Sequence, residues 1–172
     1  MSDGFDIVIE DKRWKNMGLP ALAQQALTAT LGGLGANPAR FEASLLACDD
    51  ARIAELNSAF RGKPTPTNVL SWPAEERSAE TAGGRPEMPQ APPDGPPVEL
   101  GDIAIAYETC QREAQQAGIA MQDHVVHLLV HALLHLLGYD HIRDQDATLM
   151  EAVEVRTLAQ LGIADPYGDG CG

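Results

Sequence analysis

Residues 121–141, MQDHVVHLLVHALLHLLGYDH, decide how the rest of the chain folds. Positions 121–137 form the most apolar segment of the sequence, which predicts a helix running through the core. Gly138 ends this helix, since glycine readily adopts the positive φ that follows a helix C-terminus. All five histidines of the chain lie in the same stretch. One segment therefore carries both the expected central helix and a concentration of metal-ligating side chains.

Three of these histidines, His131, His135 and His141, have the spacing of a metal site. Residues four apart on a helix project from one face, so the first two imidazoles point toward one place, and the turn at Gly138 can bring the third back to it. Three neutral imidazoles with an open fourth position are how proteins hold a catalytic zinc, so we expect one Zn²⁺ ion here. The alternative, a set of core histidines without partners, would cost several kcal/mol of desolvation.

The same spacing, H-x3-H-x2-G-x2-H, occurs in metzincin peptidases, where a glutamate directly follows the first histidine. Here that position is Ala132. Without this general base, zinc-peptidase chemistry would lose a contribution of typically about 10²–10⁴-fold in rate. A metal ion can still act as a Lewis acid and lower the pKa of a bound water toward about 7. The pattern therefore predicts a metal-dependent hydrolase with another substrate, its site on a zincin-like core helix.

Four residues near these histidines have less specific expectations. His127 shares their helix stripe, but at 1.5 Å of rise per residue it lies about 12 Å from His135 along the axis. We therefore expect it to support a ligand or to pack. We expect His124 to be solvated or structural and Met150 to lie in the core. Asp140 can orient an imidazole or take a proton, although an aspartate in a loop more often stabilises a turn.

Outward from this helix, the sequence alternates between strand and helix patterns. Alternating apolar residues and short apolar runs predict strands at 5–10, 40–48, 67–72 and 99–106. Helical spacing and stop glycines predict helices at 20–31, 51–61, 107–118, 121–137 and 144–161. Asp49 or Asp50 and Asp144 are the expected N-caps of two of them. The expected fold is α+β (mixed α/β): a single domain over 1–172 with a sheet of about four strands packed with about five helices.

Residues 74–98 interrupt this pattern. Seven of the 12 prolines fall between positions 73 and 97, and large apolar side chains are almost absent. Such a composition cannot bury a core of its own. We therefore expect an extended, mobile insertion and not a second domain.

Composition and charge narrow the possible partners. The chain has 172 residues, with 12 Lys and Arg against 25 Asp and Glu, and a formal net charge of −13. This balance excludes a histone-like protein that coats polyanions. Residues 1–63 are closer to balance, with seven basic and eight acidic side chains. A polyanion would therefore approach this third of the chain, and we expect a local basic face around Arg61 and Lys63.

The sequence also suggests a compartment. No apolar run reaches the ~18–20 residues needed to span a bilayer, and the N-terminus shows no signal peptide. Cys48, Cys110 and Cys171 are odd in number and far apart, which suits a reducing compartment better than a disulfide framework. We expect a cytoplasmic protein with no membrane partner.

Several motifs together resemble one known family. HALLHLLGYDH at 131–141 resembles the H-G-x-L-H-L-x-G-Y-D-H signature of the bacterial YbeY family of metal-dependent endoribonucleases. LNSAFRGKPTPTNVLSWP at 56–73 is similar to the family block L-N-x-x-[YF]-R-x-x-x-x-P-T-D-V-L-S-F-P. The G-D-I strand of the family matches residues 101–103, and LGIADPYG near the C-terminus resembles a common family ending. These matches span about 56 to 168.

Three positions depart from the family pattern: Ala132 stands for Gly, Asn68 for Asp and Trp72 for Phe. The first two keep small or isosteric side chains. Because Asn68 removes a charge, a carboxylate function at that position does not carry over. None of the departures touches the three histidines.

The resemblance implies a zinc-dependent, single-strand-specific endoribonuclease that matures the 3′ end of small-subunit ribosomal RNA and takes part in ribosome quality control. It implies His131, His135 and His141 as the zinc ligands and Arg61 as a catalytic arginine beside the metal. A guanidinium suits that role, because it pairs bidentately with phosphate and stabilises transition-state charge. The implied partners are single-stranded RNA, ribosomal RNA and the ribosome or its assembly factors, and no DNA is expected.

Two other functions stay open on the sequence. A metallopeptidase or another metallohydrolase would keep the three ligands but would need a base in place of the missing glutamate. A non-catalytic ribosome-assembly factor would use zinc only for structure. Within the nuclease hypothesis the base and the nucleophile are unassigned: attack by the 2′-OH leaves a 2′,3′-cyclic phosphate, whereas attack by water does not.

Overall fold

This computed structural model describes residues 5–77, 79, 81–86, 88–89, 95–140 and 142–166. The described residues contain four strands and six α-helices. The strands are β1 (Phe5–Ile9), β2 (Phe41–Cys48), β3 (Val69–Pro73) and β4 (Val98–Ala106). The helices are α1 (Lys12–Asn16), α2 (Leu19–Gly33), α3 (Asp50–Arg61), α4 (Tyr107–Ala117), α5 (Met121–Leu136) and α6 (Asp144–Gln160), with a 3₁₀ turn at Pro38–Arg40.

The strands form one mixed sheet in the order β1-β2-β4-β3. β1, β2 and β4 are parallel, and β3 is antiparallel to β4. Gly101 in β4 has φ 143°, and a Cβ there would lie 2.2 Å from the carbonyl oxygen of Trp72 on β3. The glycine of the G-D-I strand is therefore required by the close approach of these two strands.

The main core lies on one face of the sheet, where α2 and α5 pack against each other. Val125, Leu129 and Leu133 of α5 are completely buried. The expectation that 121–137 is a helix running through the core is confirmed. The burial of Met150 in the same core is confirmed as well.

The opposite face of the sheet is covered only in part, by α3. Ile53 of α3 joins Leu70 and small residues of β4 in a separate apolar cluster. Beyond the edge of this cluster, the Phe60 and Trp72 rings meet edge-to-face, with centroids 5.3 Å apart. Phe60 remains 65% exposed. The two faces of the sheet are therefore unequal, and α5 lies on the well-covered one.

The expected α+β fold with four strands is confirmed, and the described residues contain six α-helices, one more than the five or so expected. The missed one, α1, is too short to show a periodic apolar stripe. The Asp11 side chain caps it by accepting the Arg13 backbone N–H at 3.0 Å. Its Trp14 is fully buried and donates its indole N–H to the Cys48 carbonyl oxygen at 2.8 Å.

The expected helix caps are partly confirmed. Asp49 is the N-cap of α3 and accepts the Arg52 backbone N–H at 2.8 Å. The expected cap at Asp144 is wrong, because Arg143 occupies the N-cap of α6 without a side-chain hydrogen bond to the helix backbone. Asp144 instead lies in the first turn, where its negative charge still complements the helix dipole.

Parts of the 74–98 insertion contact the domain. The Gly83 N–H donates to Asp146 Oδ1 on α6 at 2.7 Å, and Arg143 Nη2 donates to the Ala79 carbonyl oxygen at 2.9 Å. The insertion is thereby attached to the start of α6. Its mobility stays a prediction.

Within the described residues no single helix is long and apolar enough to cross a membrane, and α4 with α5 meets such a test only as a pair bent by 115°. Cys48 and Cys110 are buried free thiols. Burial raises the pKa of the Cys48 thiol to about 12 and raises that of Cys110 as well. Cys171 lies outside the described residues.

Candidate active site

Two of the predicted ligands, His131 and His135, converge at the C-terminal end of α5. Their Nε2 atoms are 3.1 Å apart and their ring centroids 4.6 Å apart. Two nitrogen ligands of a tetrahedral zinc, each at ~2.0–2.1 Å, are about 3.3 Å from each other. The spacing of the two imidazoles therefore fits two corners of a zinc site.

A buried carboxylate lies behind this pair. Glu154 of α6 is completely buried, and its Oε1 is 2.7 Å from His131 Nδ1. Its Oε2 is 3.0 Å from His127 Nε2. The carboxylate thus joins two imidazoles that are one turn apart on α5. His127 has the supporting position expected from its spacing, because its Nε2 faces Glu154.

The remaining histidine of α5 belongs to a different group of side chains. His124 Nε2 is 2.9 Å from Glu113 Oε1 on α4. The same oxygen accepts the Asn68 side-chain N–H at 3.0 Å. The structural alternative for His124 is therefore the one observed. An amide at position 68 also matches its surroundings, because it can donate to Glu113 where an aspartate could not.

The chain turns sharply after α5, at Gly138. This residue has φ 104°, and a Cβ there would lie 2.3 Å from the Arg77 carbonyl oxygen. The Arg77 guanidinium, only 7% exposed, donates to the carbonyl oxygens of Leu136 at 3.0 Å and Leu100 at 3.2 Å. It satisfies an orphan carbonyl at the helix end and fixes the point where the chain leaves α5.

A cleft of about 670 Å³ opens in front of the two histidines. Arg61, the last residue of α3, lies on its wall together with His131 and His135. Among the described residues none forms an ion pair or hydrogen bond with the Arg61 side chain, which is exposed. The fold therefore brings three of the four predicted site residues, Arg61, His131 and His135, to one cleft. The Arg61 guanidinium is available there to an anionic ligand.

The fourth predicted residue, His141, lies outside the described residues. Its neighbour Asp140 is half-buried and lines the same cleft, as do Glu76 and the buried Ala132. Ala132 has no side chain able to take a proton, so the position that carries the glutamate in the peptidase motif supplies no base here.

Comparison with known proteins identifies the family. A sequence model of the family described as Endoribonuclease YbeY matches residues 7–162. The endoribonuclease YbeY of Ruegeria pomeroyi is 61% identical over 163 residues, which cover 95% of this chain and 97% of the relative. The chain belongs to the YbeY family. The YbeY of Dinoroseobacter shibae is 57% identical over 162 residues, covering 94% of this chain and 89% of the relative.

The YbeY assignment agrees with a structural likeness. The solution structure of a Thermotoga maritima protein aligns with a TM-score of 0.54 at 17% identity, covering 94% of this chain and 97% of that one. At this identity the likeness shows a shared fold alone. The family match covers α3, β3 and α5, three elements that contribute residues to the cleft.

The sequence analysis did not single out Glu154. Its signal was weak, because a glutamate on a helix with a polar face is usually solvated. One clue was present: Met150, Val153, Thr157 and Leu158 surround it at helical spacing and are buried. A glutamate in the middle of such a stripe points into the core, where it needs partners.

Proposed function

We propose that this protein is a zinc-dependent endoribonuclease that cuts single-stranded RNA, acts in maturation of the 3′ end of small-subunit ribosomal RNA and takes part in ribosome quality control. Membership of the YbeY family makes the chain an endoribonuclease, a hydrolytic and metal-dependent nuclease. Zinc as the ion, single strands as the substrate and ribosomal RNA as the target are our additions. The single observation that carries the proposal is the convergence of the His131 and His135 Nε2 atoms in the cleft that Arg61 also lines.

The proposed zinc ligands are His131, His135 and His141. A zinc ion held there would supply Lewis acidity toward a phosphodiester oxygen and lower the pKa of a water molecule. The turn at Gly138 directs the chain back toward the cleft before His141, which is consistent with a third imidazole at the same point. One zinc ion fits a single pair of convergent nitrogens.

Apart from the proposed zinc ligands, Arg61 is the residue that we propose to act in catalysis. Its guanidinium can hold a phosphate in a bidentate pair and stabilise the charge that develops on the pentacoordinate transition state. The end of a helix fixes its backbone, and Gly62 with φ 68° closes that helix. Arg61 therefore positions the scissile phosphate at the cleft wall next to the histidines.

Two routes are proposed for the attack on the phosphate, and they differ in the nucleophile and in the group that accepts its proton. The carboxylates of Glu76 and Asp140 line the cleft and can take a proton from an attacking water. The alternative nucleophile is the 2′-OH of the RNA, which DNA lacks. The chemistry of the product ends separates the two routes.

We further propose a cytoplasmic location, with ribosomal RNA and the ribosome or its assembly factors as partners and with no DNA substrate. The net charge of −13 repels RNA overall. We therefore propose that RNA binds at a local basic face around Arg61 and Lys63. RNA affinity that falls steeply with added salt is the expected result. No dependence on salt would contradict such a face.

The deciding experiment measures cleavage of an end-labelled single-stranded RNA by zinc-loaded protein. His135→Ala, purified identically, controls for contaminating nuclease. The expected result is cutting by the wild type and none by the variant, with double-stranded RNA and single-stranded DNA left intact. Equal cutting by both proteins would show contamination. No cutting by a zinc-loaded wild type would reject nuclease action by the isolated protein and favour the assembly factor.

A further inference from the structure

We propose that Glu154 is a positioning residue of the metal site: its carboxylate fixes the tautomer and ring orientation of His131. The inference rests on the proposed zinc site and deepens it. It assigns a role to a fully buried group on α6, outside the histidine motif, that would act through His131.

The contacts of Glu154 determine which nitrogen of His131 carries hydrogen. An ionised carboxylate only accepts hydrogen bonds, so the His131 Nδ1 that lies 2.7 Å from Oε1 must be protonated. A neutral imidazole has one N–H, which leaves a lone pair on His131 Nε2. That is the atom 3.1 Å from His135 Nε2. The glutamate therefore selects the tautomer that can bind a metal ion at the point of convergence.

The second oxygen of Glu154 completes the arrangement. It faces His127 Nε2 at 3.0 Å, so His127 donates to the carboxylate as well. A fully buried carboxylate is costly unless its oxygens accept hydrogen bonds. Two imidazole N–H groups on one helix meet this need. His127 thereby holds the carboxylate, and the carboxylate holds His131.

Burial makes this orientation stiff. The side chain of Glu154 is 0% exposed, whereas that of His131 is 23% exposed toward the cleft. The residues that flank Glu154 at helical spacing on α6 are buried too, so this part of the helix is anchored in the core and the carboxylate has little freedom to follow a rotating imidazole. Carboxylate partners behind metal-ligating histidines typically contribute about 10–100-fold to metal affinity. An effect of this size is expected here.

The first test is titration of the metal-free protein with Zn²⁺ in competition with a chromophoric chelator. We expect Glu154→Gln to weaken zinc binding about 10–100-fold, because an amide offers one acceptor where two imidazoles need one each. The matched control is Glu113→Gln, which alters the other histidine–carboxylate pair of α5 and should leave the zinc affinity within about twofold. Equal affinity of Glu154→Gln and the wild type would overturn the inference.

The second test needs no substitution. Two-bond ¹H–¹⁵N correlation spectra of the metal-free wild type report the tautomer of each imidazole. We expect hydrogen on Nδ1 of His131 and on Nε2 of His127. Hydrogen on Nε2 of His131 would overturn the inference, and so would a protonated Glu154 that donates to Nδ1. This measurement keeps the question decidable if Glu154→Gln fails to fold.

Failure of the zinc site itself gives a different result. If His135→Ala binds zinc as tightly as the wild type, the proposed ligands are wrong, whatever Glu154 does. If His135→Ala loses zinc while Glu154→Gln keeps full affinity and the wild-type tautomer, the site stands and the positioning role is wrong. The two failures are therefore distinguishable.

Discussion

The two ends of α5 carry the same types of residue in different settings. Near its N-terminus, His124 meets Glu113, a carboxylate that is 36% exposed and also receives the Asn68 amide. Toward its C-terminus, His127 and His131 share Glu154, which is 0% exposed. The first pair connects α4 to α5 at the surface. The second carboxylate lies behind the imidazole on which His135 converges at the cleft, so we expect a metal site only at this end of α5.

The largest expected effect is on zinc affinity, which should depend on the histidines near the C-terminus of α5 and not on the one near its N-terminus. His131→Ala should weaken zinc binding about a hundredfold or more, because it removes one of the three proposed ligands. His124→Ala should leave the affinity unchanged. Titration with Zn²⁺ against a chelator measures both. Comparable losses in the two variants would mean that the N-terminal end of α5 also contributes to the metal site.

The next effect concerns the stability of the metal-free protein. Glu154→Ala should lower the free energy of unfolding by about 2–4 kcal/mol, because it leaves a buried cavity and removes the acceptor of two imidazole hydrogen bonds. Glu113→Ala should cost only about 0.5–1 kcal/mol, since water replaces the carboxylate. Urea unfolding monitored by circular dichroism gives both values. A Glu154→Ala protein as stable as the wild type would show that the two hydrogen bonds contribute no net stability.

A third carboxylate sharpens the comparison, because Asp146 lies on α6 like Glu154 but holds the insertion. The Gly83 backbone N–H and, after it, the Arg143 guanidinium lower the pKa of Asp146. A lowered pKa stabilises the fold above the unfolded value of about 3.9, and this contribution is lost as the pH falls through the folded value. Asp146→Asn should therefore lower the Tm by a few degrees at pH 7.

Calorimetry across pH tests this expectation. As the pH falls below the unfolded value and through the lower folded value, the Tm of Asp146→Asn should approach that of the wild type, because the native carboxylate is then becoming protonated as well. Zinc affinity at pH 7 should not change. A constant difference in Tm from pH 7 to pH 2 would show that the charge of Asp146 is not what holds the insertion.

The smallest effect is expected at the exposed end of the comparison. Asn68→Asp places a carboxylate where an amide now donates to Glu113 at 3.0 Å. Two like charges replace a hydrogen bond, but Glu113 is partly exposed and solvent screens the repulsion. We expect a loss of about 0.5–1 kcal/mol in urea unfolding at pH 7. A more stable variant would indicate that the new carboxylate pairs with His124 instead.

The success of sequence-based prediction differed between elements for physical reasons. The strands and the long helices were predictable because alternation and helical spacing record which face of each element is buried. The short helix α1 was missed because its stability comes from one buried side chain, Trp14, and not from a repeating pattern. The place of Arg61 beside the histidines was predictable only through the resemblance of residues 56–73 to the family, since an arginine at a helix end has no unique function. Its catalytic role stays a prediction.

By itself, the sequence determined the relation of residues on one element. The convergence of His131 and His135 and the turn at Gly138 follow from the geometry of a single helix and its end. The lack of a carboxylate at Ala132 is read directly from the sequence. Only the tertiary structure decided which residues of different elements meet. It brought Glu154 to His131 across 23 positions of sequence and Arg61 to the wall of the same cleft. Local periodicity records burial, whereas the partner of a buried polar group depends on how whole helices pack.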